Sequence, residues 1–160
     1  MNHLTDTLEA PLGSLTLTVD ALGRLHRLDW SPDPSGPVPH PNPFGLTTRL
    51  AEYFAGDLHA IDGIEVAMNG TPFQCKVWSA LRGIPCGQTI SYGELARRID
   101  NPKAVRAVGL ANGSNPISIV VPCHRVIGAN GTLTGYGGGL ERKRWLLAHE
   151  RATANMSLSL

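Results

Sequence analysis

The chain has no apolar run approaching the ~20 residues that cross a bilayer. Its opening stretch, MNHLTDTLEA, lacks the basic and apolar regions of a secretory signal. A cytoplasmic protein without membrane contact is therefore expected. Cysteine is scarce: Cys75, Cys86 and Cys123 cannot all pair within the chain, and no C-x-x-C occurs, so the thiols are expected to be reduced. The six histidines and three cysteines form no ligand-spaced cluster, which predicts neither a metal site nor a cofactor. No G-x-x-x-x-G-K-S/T is found either, which excludes a P-loop cradle for phosphate.

What is present makes a soluble globular chain. Its 160 residues, 42% hydrophobic and 17% charged, suffice for one domain or two small ones. The net charge of +1 conceals a division. Residues 1–70 carry three arginines against nine acidic residues, a net −6, and residues 71–160 carry eleven Lys and Arg against four acidic residues, a net +7. The second half suits a polyanion.

GSLTLTVD and GRLHRLDW alternate around Ala21-Leu22 and predict a β-hairpin. Residues 31–44, SPDPSGPVPHPNPF, hold six of the twelve prolines and read as an exposed connection. LTTRLAEYFAG sets Leu46, Leu50 and Tyr53/Phe54 on one helical stripe that Gly56 closes. IEVAMNG reads as a short strand, and a boundary is placed near Gly70. Residues 1–70 are thus expected to form a small α/β domain.

The second half, residues 71–150, is expected to be mostly helical. In TPFQCKVWSALRG, Thr71 is the N-cap, Pro72 the first helical residue, Gln74 the partner in a capping box and Gly83 the stop. Phe73, Val77, Trp78 and Leu81 share a face, which makes Trp78 a core residue. SYGELARRI repeats the logic with Ser91 and Glu94. After Asp100-Asn101, a third helix is predicted from Pro102 to Asn112-Gly113. It is built of small residues (Ala104, Val105, Ala107, Val108, Gly109, Ala111), with Lys103 and Arg106 as its charges. The two short helices fit either a helix-turn-helix on DNA or an αα-hairpin inside a core, and the basic excess favours DNA. A last helix, LERKRWLLAHE, is expected to end at His149-Glu150, leaving residues 151–160 as a loose tail.

Between these lies NPISIVVPCHRVIG, where ISIVV reads as a buried strand. Free cysteines are commonly buried, so Cys123 fits a core thiol as well as a nucleophile. A nucleophile must ionise, which takes a base or positive charge nearby, and His124 and Arg125 are adjacent. Neighbours on a strand point apart, so His124 reaches Cys123 only through a turn or a water. Glu150 is one carboxylate able to complete a Cys–His–acid relay.

PCHRVIG, with NPISIVV and SYGELA…NPKAVRAVGLANG before it and GYGGGLERKRWLLAHE after it, resembles the O6-alkylguanine-DNA alkyltransferases. The similarity runs from Thr71 to Glu150. It implies an N-terminal α/β domain followed by a winged helix-turn-helix that binds duplex DNA carrying O6-alkylguanine and flips the damaged base. A monomer without cofactor is expected, with cooperative assembly on DNA left open; some relatives carry a zinc site in the N-terminal domain, whose ligands are not apparent in this sequence. It implies Cys123 as the alkyl acceptor, His124 as general base through a water, Glu150 as its orienting acid, Tyr92 as donor to the leaving base and Asn115 as support for the thiolate. Arg106 would fill the gap left by the base, with Ala104, Ala107, Gly109 and Arg125 also at the DNA. Asn112, Val126, Leu133, Tyr136, Gly137 and Gly138 would wall the base pocket. Some relatives have a larger apolar residue at the position of Asn112 and a serine at that of Gly137, which leaves pocket width open. Cys75 and Cys86 match no family nucleophile.

Two other readings share these residues. A cysteine hydrolase would use the same Cys123, His124 and Glu150 over many turnovers, and would leave the basic helices unused. A non-catalytic DNA-binding regulator would use the helices and leave the cysteine idle.

Overall fold

The computed structural model describes residues 3–30, 39–131, 133 and 135–158, with side chains through Arg151. The chain forms two compact units. One comprises Met1–Met68 with Pro116–Val120, the other Asn69–Asn115 with Val121–Leu160.

The first unit is a three-stranded antiparallel sheet with helices. Its strands β1 (Leu4–Ala10), β2 (Gly13–Val19) and β3 (Leu25–Asp29) lie in sequence order, pairing Leu8 with Leu15 and Leu17 with Leu28. Leu15, Leu17, Val19, Leu25 and Leu28 are fully buried, so the expected hairpin carries the core. Asp20 ties its turn, accepting from the backbone N–H groups of Leu22 and Arg24 at 2.9 and 3.0 Å. The sequence did not announce β1, because Asp6, Thr7 and Glu9 dilute its apolar alternation and only Thr5 is buried along it. Helix α1 (Leu46–Phe54) buries Leu46, Leu50 and Tyr53, the stripe its spacing predicts.

Two expected strands are not strands. IEVAMNG touches the sheet by a single bridge from Val66 to Leu25. ISIVV is buried as expected, with Ile117, Ile119 and Val120 at most 5% exposed, but it turns where a strand would run straight. Pro116 and Pro122 bracket it, Ile119 adopts φ 73°, and Val120 N–H donates back to Ser118 at 2.8 Å. A left-handed β-branched residue costs roughly 1–2 kcal/mol. Its complete burial offsets that cost. Of the Pro-rich connection, residues 31–38 lie outside the described residues, and Pro43–Gly45 forms a 3-10 turn.

The second unit packs helices α2 (Pro72–Leu81), α3 (Tyr92–Arg98), α4 (Val105–Gly113) and α5 (Leu140–Leu158). The Thr71–Gln74 capping box is formed in both directions, at 2.9 and 3.1 Å. Ser91 caps α3 by accepting from Glu94 N–H at 3.0 Å. Trp78 is core, 3% exposed, and its Nε1–H donates to Ala111 O at 2.8 Å. A Cβ at Gly70 would stand 2.6 Å from the Trp78 ring, so only glycine fits there. Helix α4 starts three residues later than its Pro102 signal, because Asn101–Ala104 closes a separate turn. Helix α5 continues through Leu158, past the predicted end at His149-Glu150. Strands β4 (Ile90–Ser91) and β5 (Val126–Ile127) pair in parallel. No described helix is long and apolar enough to cross a membrane.

Candidate functional site

Pro122 ends the bracketed apolar segment and caps a 3-10 turn over Cys123–Arg125. Proline cannot continue a strand ladder, so the backbone turns here, and three successive side chains fan out about a third of a turn apart. This is the turn that Cys123 and His124 need in order to share one site. Both are buried, Cys123 at 5% exposure and His124 at 0%.

Their surroundings come from the other elements of the second unit. Glu150 on α5 sits 2.9 Å from His124 Nε2 and accepts from Arg125 Nε and Nη2, each at 2.9 Å. Arg125 Nη1 donates to Ile84 O at 2.7 Å. Burial alone would raise the Glu150 carboxyl, but His124 and Arg125 outweigh it and hold the group well below its usual range. A carboxylate can only accept, so Nε2 of His124 carries the hydrogen and Nδ1 the lone pair. Among the described residues Nδ1 has no hydrogen-bond partner. Burial also pulls the His124 imidazole below its ordinary 6.5, against the opposing pull of Glu150, so it rests neutral. The result is a neutral imidazole of fixed tautomer whose Nδ1 is unpartnered among the described residues.

The neighbours able to lower the pKa of the thiol do not prevail. Burial pushes Cys123 above its ordinary value, and a hydrogen bond from Asn115 and the charge of Lys143 only partly oppose this. Cys123 therefore rests as a neutral thiol. Asn115 is anchored by donating Nδ2 to Val121 O at 2.8 Å. Asn112, 2% exposed, donates Nδ2 to Cys123 O at 3.3 Å.

Lys143 escaped the sequence reading. ERKRW looks like a solvated basic face, yet Lys143 is 0% exposed and its Nζ donates to Val126 O at 2.7 Å. The available signal was helical period, since Lys143, Leu146 and Glu150 fall on the buried face of α5. Arg125 and Lys143 are cations and Glu150 is an anion, so the cluster has a surplus positive charge that a thiolate would neutralise.

Arg125 is corrected in its role. Its guanidinium is spent on Glu150 and Ile84 inside the unit, 9% exposed, and does not face outward as a DNA contact would. The remaining residues fall in two places. Arg106 and Ala107 are exposed on α4, with Ala104 and Gly109 half-buried. Tyr92 opens α3 with its ring 3.9 Å from where a Gly109 Cβ would lie and its hydroxyl 3.8 Å from that of Gly135, which has φ +49°. Val126 is buried, and Tyr136 and Gly138 are half-buried around exposed Gly137, whose Cβ would sit 3.8 Å from Gly113 O. Leu133 lines a cavity of about 230 Å³ with Thr89, Ile127, Arg144, Leu147 and Arg151, a set without Cys123, His124, Tyr92 or Asn112. Among the described residues no group of three or more His, Cys, Asp and Glu is placed to hold a metal.

The family model described as 6-O-methylguanine DNA methyltransferase, DNA binding domain, matches residues 72–152. A methylated-DNA–protein-cysteine methyltransferase of Mycolicibacterium paratuberculosis is 53% identical, covering 96% of each chain. One from Salmonella typhimurium is 51% identical over 92% of this chain and 95% of its own. The crystal structure of Mycobacterium tuberculosis OGT in complex with DNA superposes with a TM-score of 0.86 at 48% identity, covering 94% of both chains. With Cys123, His124 and Glu150 all inside the matched region, the chain belongs to the O6-methylguanine DNA methyltransferase family.

Proposed function

We propose that the protein repairs DNA by direct reversal, moving an alkyl group from O6 of guanine to Cys123 and being consumed by the act. The observation that carries this reading is the unpartnered Nδ1 of His124, whose tautomer Glu150 fixes, on the same 3-10 turn as a protonated, buried thiol. His124 takes the Cys123 proton through a water, Glu150 holds the imidazolium that results, and Lys143 offsets the thiolate charge. The sulfur attacks the alkyl carbon, an S–C bond forms, and the C–O6 bond breaks with its electron pair passing to guanine. Tyr92 donates a proton to the ring as it leaves. Asn115 supports the thiolate.

Helices α3 and α4 act as a helix-turn-helix whose α4 faces DNA, with the segment after β5 as the wing. Extruding a damaged base costs a few kcal/mol, which insertion of Arg106 partly offsets. Ala104, Ala107 and Gly109 allow close approach, and Asn112, Val126, Tyr136, Gly137 and Gly138 wall the base. The setting is cytoplasmic.

The product is a thioether, which water does not hydrolyse under ordinary conditions. Incubation with excess duplex bearing O6-methylguanine should therefore saturate at one methyl per chain, with one added methylene on the peptide containing Cys123. Cys123→Ala should abolish transfer while duplex binding persists. Repeated turnover would support the hydrolase reading, and duplex binding without any adduct would support the regulator.

A further inference from the structure

The cavity that Leu133 lines serves neither the Cys123 cluster nor the exposed face of α4. It holds about 230 Å³ and lies within the second unit. Arg144, Leu147 and Arg151 border it from α5, where their spacing of three and four residues puts them on one helix face. Ile127, Leu133 and Leu147 make its apolar lining, Thr89 adds a hydroxyl, and no acidic residue borders it. The cavity is cut from the same elements as the reactive cluster, since Arg144 and Arg151 follow Lys143 and Glu150 and Ile127 follows Val126. No residue is common to the two.

The two arginines differ from their neighbours on α5. Lys143 donates to Val126 O and Arg142 to Gly138 O. Arg144 and Arg151 are exposed, and neither has an ion pair or hydrogen bond among the described residues. Helical rise sets their backbones about 10 Å apart, a span that two arginine side chains can close over one head group. We propose that this cavity is a second binding site, which takes a small organic carboxylate. The guanidiniums hold the head group, and Ile127, Leu133 and Leu147 cover an apolar body. The volume is below the roughly 300–1,000 Å³ of pockets for drug-sized ligands, so the body is short. A phosphate, free or on a DNA strand, satisfies the arginines but leaves the apolar lining without use. The site is independent of alkyl transfer, because none of its residues takes part in that chemistry.

The test follows the methyl resonances of Ile127, Leu133 and Leu147 in the full chain, without DNA, as octanoate is added. These should shift saturably, with one ligand per chain. Octanol, with the same chain and no charge, should bind at least about tenfold more weakly. Shortening octanoate to butanoate should cost about fourfold in affinity for each methylene that the cavity buries. The double variant Arg144→Gln/Arg151→Gln should weaken octanoate about tenfold and leave octanol unchanged. Both side chains are exposed, so the variant should keep its fold. Should it not fold, wild type alone decides, by octanoate against octanol. Octanol binding as well as octanoate, a double variant that binds octanoate like wild type, or no saturable shift at these methyls would each overturn the inference. Inorganic phosphate binding as tightly as octanoate would overturn it too. So would undamaged duplex that displaces octanoate and loses affinity in the double variant, since the arginines would then belong to the DNA surface.

Discussion

Each unit contains a buried carboxylate held by a histidine and an arginine, and the two are put to different ends. In the first, Asp20 accepts from Arg24 Nε at 2.7 Å and lies 2.8 Å from His26 Nε2, besides the two backbone N–H groups of its turn. In the second, Glu150 holds His124 and Arg125. Asp20 draws its partners from six residues of one hairpin, and the arrangement closes a turn. Glu150 reaches back 25 and 26 residues, and the arrangement ends on a nitrogen that has no partner among the described residues. The same chemical parts make a staple in one unit and, in the proposed mechanism, a poised base in the other. What separates them is the partner left open.

Breaking the second cluster should have the largest effect. Glu150→Gln would leave Arg125 buried beside a neutral amide, at a cost of about 3–5 kcal/mol on chemical denaturation. It would also free the His124 tautomer, and single-turnover transfer should drop in parallel. His124→Gln should keep the fold better while removing the proposed base. Transfer at neutral pH should fall about 10²–10⁴-fold and recover partly at high pH, where hydroxide can ionise the thiol. Equal rates for wild type and His124→Gln would mean that the thiol finds another base.

The comparison sharpens with pH. Wild-type transfer should stay flat through neutrality and decline only below 6.5, because burial lowers the imidazole pKa and the neutral form does the work. Stability should move the same way. As pH falls below 6.5 the unfolded chain gains a proton on His124 that the folded chain resists, and below 4.5 the same holds for Glu150. Both contributions are present above those values and lost on acidification. Asp20, whose hydrogen bonds also hold its pKa down despite burial, adds its loss below 3.8. Asp20→Asn should accordingly lower the unfolding midpoint of the protein while transfer by the folded fraction keeps its rate. A matching fall in rate would show that the two clusters are not separable in function.

How much of this was legible follows from sequence distance. The capping box, the β2–β3 hairpin, the α1 stripe and Trp78 depend on residues a few positions apart, and local pattern was enough for them. The bend of ISIVV was not, because β-branched residues favour extension and only the flanking prolines hinted otherwise. The return of Pro116–Val120 to the first unit had no local mark at all. Within the site, Cys123, His124 and Glu150 were nameable from motif and resemblance. Arg125 was misplaced, because a guanidinium looks alike whether it faces DNA or a buried carboxylate. Lys143 was hidden among Arg142 and Arg144, where composition suggested a solvent face and only the period of α5 pointed inward.

The smallest expected effect lies on the surface and tests whether the basic unit binds as its charge suggests. Arg106 is exposed on α4, and its removal leaves no buried partner stranded, so Arg106→Ala should change stability by no more than about 0.5 kcal/mol. If its guanidinium meets the duplex, affinity should weaken and the slope of log affinity against log salt should lessen by about one. Transfer from duplex O6-methylguanine should slow, because extrusion loses the side chain that fills the gap, while transfer from the free alkylated base should be unaffected. Slowing of both would place the arginine in the chemistry. Slowing of neither would remove α4 from the DNA-facing surface and restore the αα-hairpin as the better account of α3 and α4.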